Sequence, residues 1–195
     1  MKIIGVTGGV GAGKSSVLDY LHKKYNAVVE RLDDVSRRLL DKDGACYRET
    51  IELFGSEIVR DDGSLDRSCI ASIVFSDPSM MEKLNGIVHP AVRCETERII
   101  AENRQEGTDL LVLEAALLIE QHYDEICDEL WYIYASVETR THRLMESRGY
   151  TRERIEGTMA SQLSEEEFRA KATFVLDNDG DFEASRIQID KHMEG

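Results

Sequence analysis

Gly8-Gly9-Val10-Gly11-Ala12-Gly13-Lys14-Ser15-Ser16 is the stretch whose reading decides the fold. Gly8, Gly13, Lys14 and Ser15 hold the fixed positions of the phosphate-binding pattern G-x-x-x-x-G-K-[ST]. Four glycines in six residues let backbone N–H groups turn inward without interference from a Cβ, forming a nest for phosphate oxygens. In that reading the Gly11–Ser16 backbone holds phosphates, with Gly11, Ala12, Gly13 and Ser16 as contact positions. Lys14 reaches the β- and γ-phosphates, and the Ser15 hydroxyl ligates Mg²⁺. The flanks supply the required context. Lys2-Ile3-Ile4-Gly5-Val6-Thr7 is short, apolar and β-branched, as a buried strand is. Val17–Tyr25 carries apolar residues at helical spacing. Strand, glycine loop and helix follow in order, so the chain is expected to bind a nucleoside triphosphate.

The 195 residues suit one domain with a sizeable core, here taken as 1–195. Hydrophobic content of 42% and charged content of 32% are ordinary for a soluble protein. The net charge of −14 argues against broad nucleic-acid or anionic-membrane binding, which need a basic surface. No run reaches the ~20 apolar residues of a membrane span. The chain opens directly on a strand, so no signal peptide is expected. Cys46, Cys69, Cys94 and Cys127 are widely spaced and show no metal-ligand pattern. Four reduced thiols in a cytoplasmic protein are the expected state. No feature of the sequence reports an oligomeric state.

Further along, Ala27–Leu32 reads as a second strand ending at Asp33-Asp34, with a helix beginning at Val35. Tyr47–Phe54 is an amphipathic helix stopped by Gly55, and Asp61–Arg67 is a turn cluster. From Arg67 to Glu106 the pattern is helical, punctuated by Asp77-Pro78 and His89-Pro90. Forty helical residues exceed what one crossover needs, so 67–106 is expected to be a helical insertion able to hold a substrate. Thr108–Leu113, Leu130–Ala135 and Thr173–Asn178 complete five strands. Near-continuous apolar strands alternating with helices predict an α/β fold, a parallel sheet between two helical layers.

Glu114 ends the third strand, where a second carboxylate for Mg²⁺ sits in phosphate-loop proteins. Glu120 faces either substrate or solvent, and spacing does not choose between them. Arg140, Arg143 and Arg148, with Arg152 and Arg154 behind, are the densest basic stretch of an acidic chain. Arg140 and Arg143 share a helix face. The segment 138–152 is expected to be a short mobile lid that neutralises charge on a transferred phosphoryl group. His89 by itself reads as structural. The guanine-reading N-K-x-D and the transporter signature L-S-G-G-Q are absent, which disfavours a GTPase switch or a transport ATPase. A small phosphotransferase remains, working by positioning and charge neutralisation.

Taken in order, the motifs resemble the dephospho-coenzyme A kinase family. The opening Thr7–Ser15 is similar to the family's T-G-G-[IV]-G-[SA]-G-K-S. Phe54-Gly55 with Asp62–Arg67, His89-Pro90 and Leu117-Leu118-Ile119-Glu120 resemble its later motifs. So do Arg140, Arg143, Arg148, Gln162 and the closing Asp177-Asn178 near the adenine. The chain departs from the family at Arg31–Asp34, at Glu114-Ala115-Ala116, where a proline is usual, and at Ala172-Thr173. The resemblance implies a P-loop NTPase fold in three layers with a five-stranded parallel sheet, a helical substrate part and a lid. It implies transfer of the γ-phosphate of ATP to the 3′-hydroxyl of the ribose of dephospho-coenzyme A, the last step of coenzyme A synthesis. It makes His89 and Arg93, with Glu120, candidates to line the acceptor site, and Arg143 and Asn178 candidates for the nucleotide. Asp33, through the spacing Asp33-x-Val35-Ser36-Arg37, becomes the expected base, with Asp34 facing solvent. Arg140 is the expected transition-state cation. Rival readings are another small-metabolite kinase, or a module that binds ATP only as a conformational signal.

Overall fold

Lys2–Thr7 forms β1, the middle strand of a five-stranded parallel sheet ordered β2-β3-β1-β4-β5. The computed structural model describes all residues, 1–195. The other strands are β2 Val28–Arg31, β3 Leu110–Glu114, β4 Glu129–Tyr134 and β5 Phe174–Asp177. All five expected strands are present, with ends shifted by a residue or two. β1 pairs with β3 from Lys2 opposite Leu110 to Val6 opposite Glu114, and Thr7 lies opposite Tyr132 of β4. This register sets Glu114 beside the last residues before the glycine loop.

The chain divides into two compact units. The first comprises Met1–Glu30 and Gly107–Gly195. It holds the sheet, α1 Lys14–Tyr25, α6 Val137–Arg148, α7 Arg152–Ala160, α8 Glu165–Lys171 and α9 Phe182–Glu194. Its core joins Ile4, Val6, Leu110, Val112, Trp131, Ile133 and Leu176 of the sheet to Val17, Leu18 and Leu21 of α1 and Ile189 of α9. Leu111 and Leu113 alternate with these in β3 and are equally buried, as a sheet covered on both faces requires.

The second unit, Arg31–Glu106, is helical. It contains α2 Leu32–Leu40, α3 Tyr47–Phe54, α4 Arg67–Ser76 and α5 Pro78–Glu106. The stretch 67–106 is thus part of a larger unit that includes α2 and α3. Phe54, Ile58, Leu65 and Ile70 form its core, with Ile73 and Leu84 packed against it. Asp66 caps α4 by accepting from the Ser68 and Cys69 amides at 3.0 Å each.

Two local expectations are corrected here. α2 begins at Leu32 and not at Val35, so Asp33 and Asp34 stand in its first turn. Leu32 and Val35 are buried one turn apart, and carboxylates are favoured where the helix dipole is positive. His89-Pro90 does not punctuate the helix, and both residues lie inside α5. A proline inside a helix costs ~3 kcal/mol, and burial of Val88, Val92, Ile99 and Ile100 along the same helix outweighs it. No helix is long and apolar enough to cross a membrane.

Candidate active site

β1 delivers the chain into the glycine loop, and the loop delivers it into α1. Gly13, the residue before the helix, has φ 91°, a left-handed conformation that glycine adopts without strain. A Cβ there would also stand 2.3 Å from the Asn178 amide nitrogen. The Ala12 amide donates to the Gly9 carbonyl at 3.1 Å and the Ser16 amide to the Gly13 carbonyl at 3.1 Å. Ser15 and Ser16 are exposed on the first turn of α1, where unpaired N–H groups and the helix dipole favour an anion.

Lys14 arches back over the loop. Its Nζ donates to the Gly8 carbonyl at 2.8 Å and lies 3.7 Å from Glu114 Oε1. Glu114 is a buried carboxylate at the carboxyl end of β3. The first unit therefore brings together the expected Lys14, Ser15 and Glu114.

Two of the five arginines of 140–154 reach this loop, and both come from one face of α6. Ser136 starts that helix by capping the Thr139 amide at 3.2 Å. Arg140 Nε donates to the Val10 carbonyl at 3.0 Å, and a Cβ on Gly9 would lie 2.4 Å from its guanidinium carbon. Burial draws the Arg140 pKa down from its ordinary value and Tyr132 opposes this; an arginine remains a cation regardless. Arg143 donates to the Ala12, Asn178 and Gly180 carbonyls at 3.4, 2.9 and 3.4 Å. Arg148 and Arg154 instead flank the Tyr150 ring, at 5.9 and 3.8 Å from its centroid.

Asn178 is buried, and both ends of its side-chain amide are engaged. It donates to the Ala12 carbonyl at 2.7 Å and accepts from the Ser185 hydroxyl at 2.8 Å. It thereby ties the glycine loop to β5 and α9. Sequence reasoning found the residue and missed this tie, because the partners are 166 residues apart. Gln162, part of the family resemblance, lies in the bend between α7 and α8 and contacts Val10 and Arg140. A lone glutamine between helices has no spacing signature that would reveal such a contact.

Glu120 lies in the turn after β3, and its Oε2 is buried with no hydrogen-bond partner. A buried carboxylate oxygen without a donor is costly, and a ligand hydroxyl or amide is one remedy.

In the second unit Asp33 is exposed on the first turn of α2 and has no ion-pair partner. Asp34 does not face solvent alone, since it accepts from Arg37 at 2.8 Å across one turn. His89 and Arg93 are one turn apart on α5. Burial pulls the His89 imidazole below its ordinary pKa and favours its neutral form. Arg93 Nε donates to Glu97 at 2.9 Å.

Residues 2–184 match the family model described as dephospho-CoA kinase. A dephospho-CoA kinase of Geobacter sulfurreducens is 37% identical over 191 residues, covering 98% of this chain and 96% of that protein. One from Symbiobacterium thermophilum is 36% identical over 190 residues, covering 97% of this chain and 79% of the relative. The crystal structure of TT1252 from Thermus thermophilus superposes with a TM-score of 0.82 at 33% identity, covering 99% of this chain and 96% of that one. With a family model spanning nearly its whole length and relatives above 30% identity, this chain belongs to the dephospho-CoA kinase family.

Proposed function

We infer that the protein transfers the γ-phosphoryl group of ATP to the 3′-hydroxyl of the ribose of dephospho-coenzyme A. The reaction gives coenzyme A and ADP. The observation that carries the reading is the convergence of Lys14 and Arg140 on one glycine loop, in a chain of this family. Phosphoryl transfer needs little covalent help from a protein. Its developing charge is met by fixed cations and N–H groups, and the reactants are held in line.

In this reading Lys14 and the Gly11–Ser16 backbone hold the triphosphate. Arg140 neutralises transition-state charge with help from Arg143, and 138–152 acts as the lid. Asn178 shapes the nucleotide end through the backbone it fixes. Asp33, just beyond the carboxyl end of β2, accepts the ribose hydroxyl proton, as parallel sheets present ligands at their carboxyl edge. His89, Arg93 and Glu120 serve the acceptor. The Ser15 hydroxyl and the Glu114 carboxylate are hard oxygen donors suited to Mg²⁺. No group of three or more His, Cys, Asp or Glu side chains is arranged to hold a metal ion; an ion bound mainly by phosphates and water needs none. Such an ion would lower the charge on the phosphates; positioning and proton transfer remain with the protein. All four cysteines are free, in keeping with a cytoplasmic enzyme.

An acceptor panel tests this proposal: ADP release is followed with dephospho-coenzyme A, nucleoside monophosphates and shikimate. Dephospho-coenzyme A is expected to dominate kcat/KM. Preference for a nucleoside monophosphate would move the protein to another small-metabolite kinase. ATP binding with no acceptor phosphorylated would make it a signalling module.

A further inference from the structure

Gln162 enters the first unit from the bend between α7 and α8, where its own amide donates to the Met159 carbonyl at 3.2 Å. Its side-chain oxygen accepts two hydrogen bonds at once. One comes from the Val10 amide at 3.1 Å, the other from Arg140 Nη2 at 3.2 Å. Arg140 Nε closes the ring by donating to the Val10 carbonyl at 3.0 Å. Both atoms facing Gln162 are donors, so its oxygen and not its nitrogen must be there. The guanidinium has five N–H groups, and this ring uses one on Nε and one on Nη2. The Nη1 donors stay uncommitted.

We propose that Gln162 is a positioning residue for phosphoryl transfer, holding Arg140 at the Val10 turn of the phosphate loop with its charge undiminished. The proposal rests on the catalytic role given to Arg140 above. An arginine side chain has many rotamers, and fixing its fork beforehand removes that entropy from the reaction step. A neutral acceptor is the suitable anchor. A carboxylate at 162 would hold the guanidinium as well and would cancel the charge it offers to phosphate. The Arg140 backbone is held within α6, so on Arg140 the clip acts through the side chain alone.

A double-mutant cycle on the full chain tests the assignment, with steady-state kinetics and thermal unfolding of every variant. Gln162→Met is expected to lower kcat on the order of tenfold. KM for ATP should stay within about twofold and Tm unmoved. Gln162→Glu, which keeps an oxygen able to accept both hydrogen bonds and is expected to keep the parent Tm, should lose kcat comparably. In the Arg140→Met background, Gln162→Met should have no further effect. Normal turnover of Gln162→Met or Gln162→Glu beside an impaired Arg140→Met overturns the proposal alone. So does an equal loss from Gln162→Met in both backgrounds, since Gln162 then acts independently of Arg140. Normal turnover of Arg140→Met removes the role of Arg140 itself, and the proposal with it.

Discussion

Lys14 donates to a loop carbonyl and faces Glu114 across 3.7 Å, so its charge is aimed before any substrate binds. Lys14→Ala should cut kcat by ~10²–10³ while Tm stays near the parent value, because the side chain serves an anion and not the core. Initial rates and thermal unfolding on one preparation check both halves. Asp33 and Asp34 give a paired test. Asp34 already has Arg37 as its partner, whereas Asp33 is exposed and unpaired. Asp33→Asn should lower kcat by ~10²-fold or more with ATP affinity nearly unchanged, as loss of a general base does, and Asp34→Asn should do little. The reverse ranking would shift the base by one residue. At this scale the sequence revealed residue types better than their partners. Lys14, Ser15 and Glu114 were legible because a motif and a strand end fix them. The Asn178 tie and the Gln162 clip were not, since each joins backbone atoms more than 150 residues away in sequence.

At the scale of elements, the approach of α6 to the glycine loop depends on an absent side chain. A methyl group on Gly9 would meet the Arg140 guanidinium at 2.4 Å, so Gly9→Ala should push Arg140 aside. The expected result is a kcat loss approaching that of Arg140→Met, with Tm little changed, read by the same kinetics. Arg152→Ala and Arg154→Ala should be nearly silent in kcat/KM, since α7 turns Arg154 onto Tyr150. On the far side, α9 is clasped to β4. His192 stacks on Phe174 at 4.0 Å and lies 2.9 Å from Glu129, which also accepts from Lys2 at 2.6 Å and Trp131 at 2.7 Å. Burial alone would raise the Glu129 pKa; hydrogen bonds from Lys2, Trp131 and His192 outweigh it and hold the carboxyl at about 2. The unfolded value is ~4.3, so the clasp stabilises the fold fully above that pH and is lost as pH falls towards 2. Glu129→Gln should lower Tm at pH 7, and the gap to the parent should narrow between roughly pH 4 and 2. A constant gap would show that the carboxylate charge is irrelevant there. Strands and most helices were legible because apolar spacing dictates them. The starts of α2 and the continuity of α5 were not, because packing of Leu32 with Val35, and of the α5 stripe, overrides local turn and proline signals.

For the whole molecule, the fold class followed from one loop and the alternation around it. The ordered set of motifs carried the family, which the match over residues 2–184 bears out. The division into units was less visible. Residues 31–66 carry no marker that groups them with 67–106; tertiary contacts do so, among them the packing of Phe54, Ile58 and Leu65 against Ile70 and the Arg67–Asp41 ion pair. The central claim is that the Lys14 and Arg140 constellation phosphorylates one particular hydroxyl. The direct measurement is mass spectrometry, with phosphorus NMR, of the products formed from ATP, Mg²⁺ and dephospho-coenzyme A. The account predicts one added phosphoryl group on the ribose 3′-oxygen, with one ADP formed for each coenzyme A. ADP accumulating beside unmodified acceptor, or phosphate on another oxygen, would contradict it.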